Sequence, residues 1–198
     1  MSQPVDRLPD GIPSSSTQFL HGCGLPAAWA GLPQWRILET GFGFGLNFLA
    51  TWAAWQADPA RPTLLHFVAT EARPVDAADL LRAAATHPDL APLAQELLRQ
   101  WWGLLPGVHR LRFDGGRVLL TLMVGDTQSL LRQQSLEVDS IYLHGIRPQH
   151  NPGLWPPHNL KALARCCRRG TRLAAEALAR AEHDALAQCG FVVSPTPG

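Results

Sequence analysis

Three glycines at alternate positions, Gly41, Gly43 and Gly45, separate a strand-like run, Trp35-Arg36-Ile37-Leu38-Glu39-Thr40, from an apolar helical segment spanning Leu46 to Trp55. A strand that runs through a glycine turn into a helix is the opening of a βαβ unit, and in open parallel sheets a ligand lies across the carboxyl ends of the strands at such turns. The rest of the chain keeps this alternation: a strand over Leu64 to Ala69, helical patterns over Asp76 to Ala85 and Leu90 to Trp101, then a buried-strand pattern over Val138 to Leu143. The fold class is therefore α/β, a mostly parallel sheet with helices on both faces. Asp114-Gly115-Gly116 between two apolar runs predicts a β-hairpin inserted into this frame.

The glycine spacing bears on the ligand. Dinucleotide enzymes use GxGxxG and place a pyrophosphate on the helix N-terminus. Here the spacing is GxGxG, and Glu39 stands two residues before the first glycine. A carboxylate there repels phosphate and attracts an ammonium or sulfonium, which favours S-adenosylmethionine over NAD. Glu71, ending the next strand, is placed to accept from ribose hydroxyls, and Asp126 after Gly125 could take an adenine amino group or cap the following helix.

The remaining segments are read more simply. Residues 1–16, rich in Pro and Ser, predict an extended or disordered arm, with organised structure from about Phe19 and a single domain over 17–198. Leu160 to Arg169 predicts a helix stopped by Gly170, Thr171 to Ala175 a short strand, Ala179 to Cys189 a helix, and Phe191-Val192-Val193 a last strand. The Trp101-Trp102 pair is expected in the core. Four cysteines without a CxxC pair predict reduced thiols and no metal site. No apolar run is long enough to span a membrane and the N-terminus has no signal-peptide pattern, so a cytoplasmic protein is expected. The 17 basic residues against 16 acidic ones exclude bulk electrostatic attraction to nucleic acid, so any RNA contact is local.

From Phe19 to Val193 the sequence resembles the methyltransferase domain of the tRNA 5-methylaminomethyl-2-thiouridine biosynthesis protein, a family found alone or fused to an FAD-dependent oxidoreductase. The resemblance rests on ordered blocks: Phe19-Leu20-His21-Gly22 with Leu25-Pro26 and Trp29; Glu39-Thr40-Gly41-Phe42-Gly43 with Gly45-Leu46-Asn47-Phe48; Glu71 with Pro74; Gly125-Asp126; Val138-Asp139; and Asn151-Pro152 with Trp155. It implies a class I, Rossmann-like methyltransferase, S-adenosylmethionine as cofactor, and the 5-aminomethyl group of a tRNA wobble uridine as substrate, with an FAD-dependent modification enzyme as a partner. Glu39, Gly41, Gly43, Gly45, Asn47, Glu71 and Asp126 are then the cofactor residues.

The family carries Asp in a Leu-Asp-Gly-Phe segment after the fourth core strand, where this chain has Leu143-His144-Gly145-Ile146. His144 is therefore the catalytic candidate. An imidazole accepts a proton at neutral pH but supplies no fixed negative charge, so reduced transfer is expected, and a module that binds cofactor without catalysis is the second reading. Asn151, Arg168 and Arg169 are the tRNA-binding candidates, the arginines within a cluster around the end of a helix. The family's C-terminal basic strand has no counterpart before Gly198, so an unpaired sheet edge is expected.

Overall fold

The computed structural model describes residues 12–134, 136–144, 157–175, 178 and 180–194. Six strands, β1 (Gln34–Thr40), β2 (Leu64–Glu71), β3 (Gly107–Phe113), β4 (Val118–Val124), β5 (Val138–Leu143) and β6 (Cys167–Ala175), form one sheet in the order β3-β4-β2-β1-β5-β6. All neighbours are parallel except β3, which runs antiparallel to β4 at one edge. Strand order reverses between β1 and β5, so the crevice for a ligand opens where Glu39 and the end of β5 meet.

Side-chain alternation along these strands divides the core. On one face Trp35, Ile37, Leu65, Phe67, Leu120 and Leu122 pack against four helices, α1 (Ser14–Gly22), α2 (Leu46–Ala57), α3 (Ala77–Ala85) and α4 (Ala91–Leu98). On the other, Leu38, Val68, Ile141 and Leu143 meet α5 (Thr127–Gln133), α6 (Pro157–Ala164) and α7 (Arg180–Gln188). β5 is buried along its whole length, Asp139 and Ser140 included, as a strand covered on both faces is.

Several expectations are corrected. The hairpin is not an insertion: β4 pairs with β2 through seven residues as an integral parallel strand, and only β3 is added outside it. Its turn does use left-handed backbone, at Asp114, Gly115 and Gly116. The helix expected up to Arg169 stops at Ala164, and Cys166 to Arg169 instead turn into β6, which also takes in the short strand expected at Thr171. Thr171 donates its hydroxyl to the Val138 carbonyl at 2.6 Å, so pairing with β5 overrides the local helical pattern. Phe191 to Val193 form no strand; Phe191 packs on the core and Val192 is fully exposed.

Organised structure begins earlier than Phe19, because α1 starts at Ser14 and already buries Ser16. The tryptophan pair divides: Trp101 is buried and stacks on Phe42 at 5.3 Å, whereas Trp102 is 77% exposed. Burial raises the thiols of Cys23 and Cys167 to about 12, which keeps them protonated and unreactive. Among the described residues no group of His, Cys, Asp or Glu could hold a metal, and no helix is long and apolar enough to cross a membrane.

Candidate active site

The glycine loop is built by backbone geometry. After β1 the amides of Gly41 and Phe42 both donate to the Thr70 carbonyl, at 3.1 and 2.9 Å, which turns the chain over the end of β2. Gly45, at φ +71°, is the N-cap of α2, and a Cβ there would lie 2.8 Å from the Phe42 ring. A Cβ on Gly43, at φ +54°, would meet nothing within 4 Å among the described residues, which leaves its backbone open to a ligand there. Phe44, in the same loop, is about half exposed.

Behind the loop lies a polar cluster at the junction of β1, α2 and β5. Glu39 is 1% exposed. Its Oε1 accepts from Asn47 Nδ2 at 2.8 Å and lies 2.9 Å from His144 Nε2. Asn47 Nδ2 is also 2.6 Å from that nitrogen. The backbone amide of His144 donates to Thr40 Oγ1 at 2.9 Å, and the Phe19 ring lies 4.6 Å from the imidazole. Glu39 Oε2 is buried without a hydrogen-bond partner among the described residues. A sealed carboxylate oxygen with no donor costs free energy that a cationic group beside it would remove. An ammonium fits that need, and because Oε2 is enclosed, its approach requires the loop or a neighbouring side chain to shift.

Glu71 receives two backbone donors, Gly43 N–H at Oε2 and Arg73 N–H at Oε1, each at 2.9 Å. Both oxygens keep acceptor capacity, as a ribose diol needs. Asp126 caps α5: its Oδ1 accepts from both the amide and the hydroxyl of Ser129, and these bonds hold its carboxyl below the usual range. Oδ2 takes part in neither bond. Gly125 N–H donates to the Glu71 carbonyl at 2.9 Å, so Glu71 and Asp126 share one end of the sheet with the glycine loop.

Thus Glu39, Asn47 and His144 meet directly, and Glu71 joins them through Gly43. Arg168 and Arg169 stand elsewhere, at the start of β6 rather than in a helix terminus, and Arg168 grips Asp139 through both Nε and Nη2. Asn151 falls outside the described residues. Sequence reasoning missed Ser16, whose hydroxyl donates to Asn47 Oδ1 at 2.6 Å, and the supporting roles of Phe19 and Thr40. No local pattern links Ser16 to Asn47, which is 31 residues away.

A model of an S-adenosyl-L-methionine-dependent methyltransferase family matches residues 88–198. The tRNA 5-methylaminomethyl-2-thiouridine biosynthesis bifunctional protein MnmC of Polaromonas naphthalenivorans is 64% identical, over 95% of this chain and 30% of its own length. The protein of the same name from Verminephrobacter eiseniae is 70% identical, over 91% of this chain and 30% of its length. The chain thus spans about a third of the curated relatives it matches. The crystal structure of MnmC2 from Aquifex aeolicus superposes with a TM-score of 0.70 at 18% identity, covering 90% of this chain and 55% of that one, a likeness of fold. With the glycine loop, Glu39 and Glu71 arranged around the strand reversal, the chain belongs to the S-adenosyl-L-methionine-dependent methyltransferase family, and S-adenosylmethionine is its cofactor.

Proposed function

We propose that the protein methylates the 5-aminomethyl group of a wobble uridine in tRNA. The observation that carries this reading is identity of 64% and 70%, across most of the chain, to relatives named for tRNA 5-methylaminomethyl-2-thiouridine biosynthesis. Those relatives are bifunctional and about three times as long, so an FAD-dependent modification activity is the partner that this reading adds. A cytoplasmic site of action goes with a tRNA substrate.

S-adenosylmethionine supplies an electrophilic methyl group on a sulfonium. Glu39 Oε2 would take the ammonium, Glu71 the ribose hydroxyls, and Asp126 Oδ2 the adenine amino group. Gly41 and Gly43 keep the loop free of side chains so that backbone can approach the cofactor, and Gly45 makes room for the Phe42 ring. Asn47 orients Glu39 through its bond to Oε1.

The substrate amine is mostly protonated at neutral pH and attacks only after losing that proton. His144 is the group that accepts it. Its Nε2 lies within hydrogen-bond distance of both Glu39 Oε1, at 2.9 Å, and Asn47 Nδ2, at 2.6 Å, so the ring shares the carboxylate with Asn47. The imidazolium formed when the ring accepts the proton is stabilised by Glu39, so His144 and Glu39 together cover what the family's Asp does alone. Asn151 is assigned to the uridine by its place in the family pattern, and Arg168 and Arg169 to tRNA phosphates.

Titration calorimetry with S-adenosylmethionine and S-adenosylhomocysteine tests the cofactor half. Glu71→Ala should weaken binding roughly ten- to a hundredfold, the worth of one or two charged hydrogen bonds. An unaffected variant would remove Glu71 from the site, and no binding by the unaltered protein would overturn the arrangement as a whole.

A further inference from the structure

Helix α1 contributes two residues to the back of the site. Ser16, 1% exposed, sends its hydroxyl to Asn47 Oδ1 at 2.6 Å, and Phe19, one turn on, lies against the His144 ring at 4.6 Å and the Tyr142 ring at 5.3 Å. Asn47 is itself buried in the first turn of α2, and its two amide atoms face opposite partners. An ionised Glu39 can only accept, so Nδ2 must face it and Oδ1 must face away. Oδ1 then needs a donor, and Ser16 is the one the structure provides.

We propose that Ser16 is a positioning residue for cofactor binding: through Asn47 it holds Glu39 with Oε1 engaged and Oε2 reserved for the cofactor's ammonium. This rests on the assignment of Glu39 to that ammonium. Without the hydroxyl, Asn47 Oδ1 is buried with no donor, and the amide relieves this only by rotating away from Glu39 or flipping. A flip sets Oδ1 against Oε1, two acceptors 2.8 Å apart. Either movement loosens the carboxylate. The effect is confined to the amino-acid end of the cofactor, because Glu71 and Asp126 are held by Gly43, Arg73 and Ser129 instead.

That confinement defines the test. Ser16→Ala removes only a hydroxyl from a helix that alanine favours, so the variant keeps its fold. Binding is measured by calorimetry for S-adenosylhomocysteine, which carries the amino-acid end, and for 5′-methylthioadenosine, which lacks it. Ser16→Ala should weaken S-adenosylhomocysteine about five- to thirtyfold and leave methylthioadenosine within about twofold, one lost buried hydrogen bond transmitted to one end of the ligand. Ser16→Cys, with a weak donor, should fall between. Equal weakening of both ligands, or of neither, overturns the positioning role. Glu39→Gln run beside it separates the two claims: if Glu39→Gln discriminates between the ligands and Ser16→Ala does not, only the Ser16 proposal fails. If Glu39→Gln does not discriminate, the ammonium assignment fails and the Ser16 role with it.

Discussion

Replacing Gly45 with Ala separates the two demands that the glycine loop makes on its residues. At φ +71° an L-residue is disfavoured by about 1–2 kcal/mol. The new Cβ would also lie 2.8 Å from two carbons of the Phe42 ring, which is 3% exposed and stacked on Trp101 and so cannot move aside cheaply. Overpacking of that kind adds about 1–3 kcal/mol. The sum, about 3 kcal/mol, corresponds to a fall in Tm of roughly 6–12 °C for a chain of this size. Gly43→Ala shares the left-handed backbone but meets nothing within 4 Å among the described residues, so it should cost only about 1 kcal/mol, or roughly 2–4 °C. Its methyl group instead stands where the cofactor approaches, and its calorimetric affinity for S-adenosylhomocysteine should drop more than its stability. Thermal and urea unfolding of the two variants in parallel decide the matter. Equal destabilisation would refute the reasoning, because it would mean that backbone strain alone sets the cost and the Phe42 contact is relieved for nothing.

Three further outcomes follow from the packing. Burial, with Arg36 and Arg110 nearby, lowers His66 from 6.5 to about 4, so the unfolded chain binds more protons between these values; stability should fall as pH drops from about 6.5 to 4, and His66→Gln should flatten that part of a stability-against-pH curve. Arg168→Ala leaves the buried Asp139 with only the Arg36 amide and should cost about 1–3 kcal/mol by urea unfolding, whereas an arginine that served RNA alone would show no loss. Trp101→Ala should cost about 3–5 kcal/mol and Trp102→Ala less than about 0.5, by the same measurement.

The parts of this protein that were legible in its sequence are those where local chemistry and tertiary role agree. β1, the glycine loop and α2 are read correctly because strand, left-handed turn and helix each need the residues found there, and β5 because Val138 and the apolar run Ile141 to Leu143 suit a strand covered on both faces. The failures lie where distant partners decide. Cys166 to Arg169 continue a helical pattern, yet pairing with Val138 and the Thr171 hydroxyl bond pull them into β6. Ser14 to Ser16 look like the end of a polar arm, and only Asn47 gives Ser16 a reason to be buried. β4 was separated from the core sheet because its hairpin with β3 is visible locally and its pairing with β2 is not. In the site, the glycines and acids could be found by their order along the chain, while the convergence of Glu39, Asn47 and His144 on one oxygen depends on how β5 lies beside β1.

The most direct measurement is a single-turnover assay with methyl-labelled S-adenosylmethionine and tRNA that carries an unmethylated 5-aminomethyl wobble uridine, followed by nucleoside analysis. The label should appear in the wobble nucleoside, and His144→Ala should slow its transfer at least about a hundredfold, the usual worth of a positioned proton acceptor. Label that fails to reach this nucleoside, or that reaches it equally fast without the imidazole, would contradict the account.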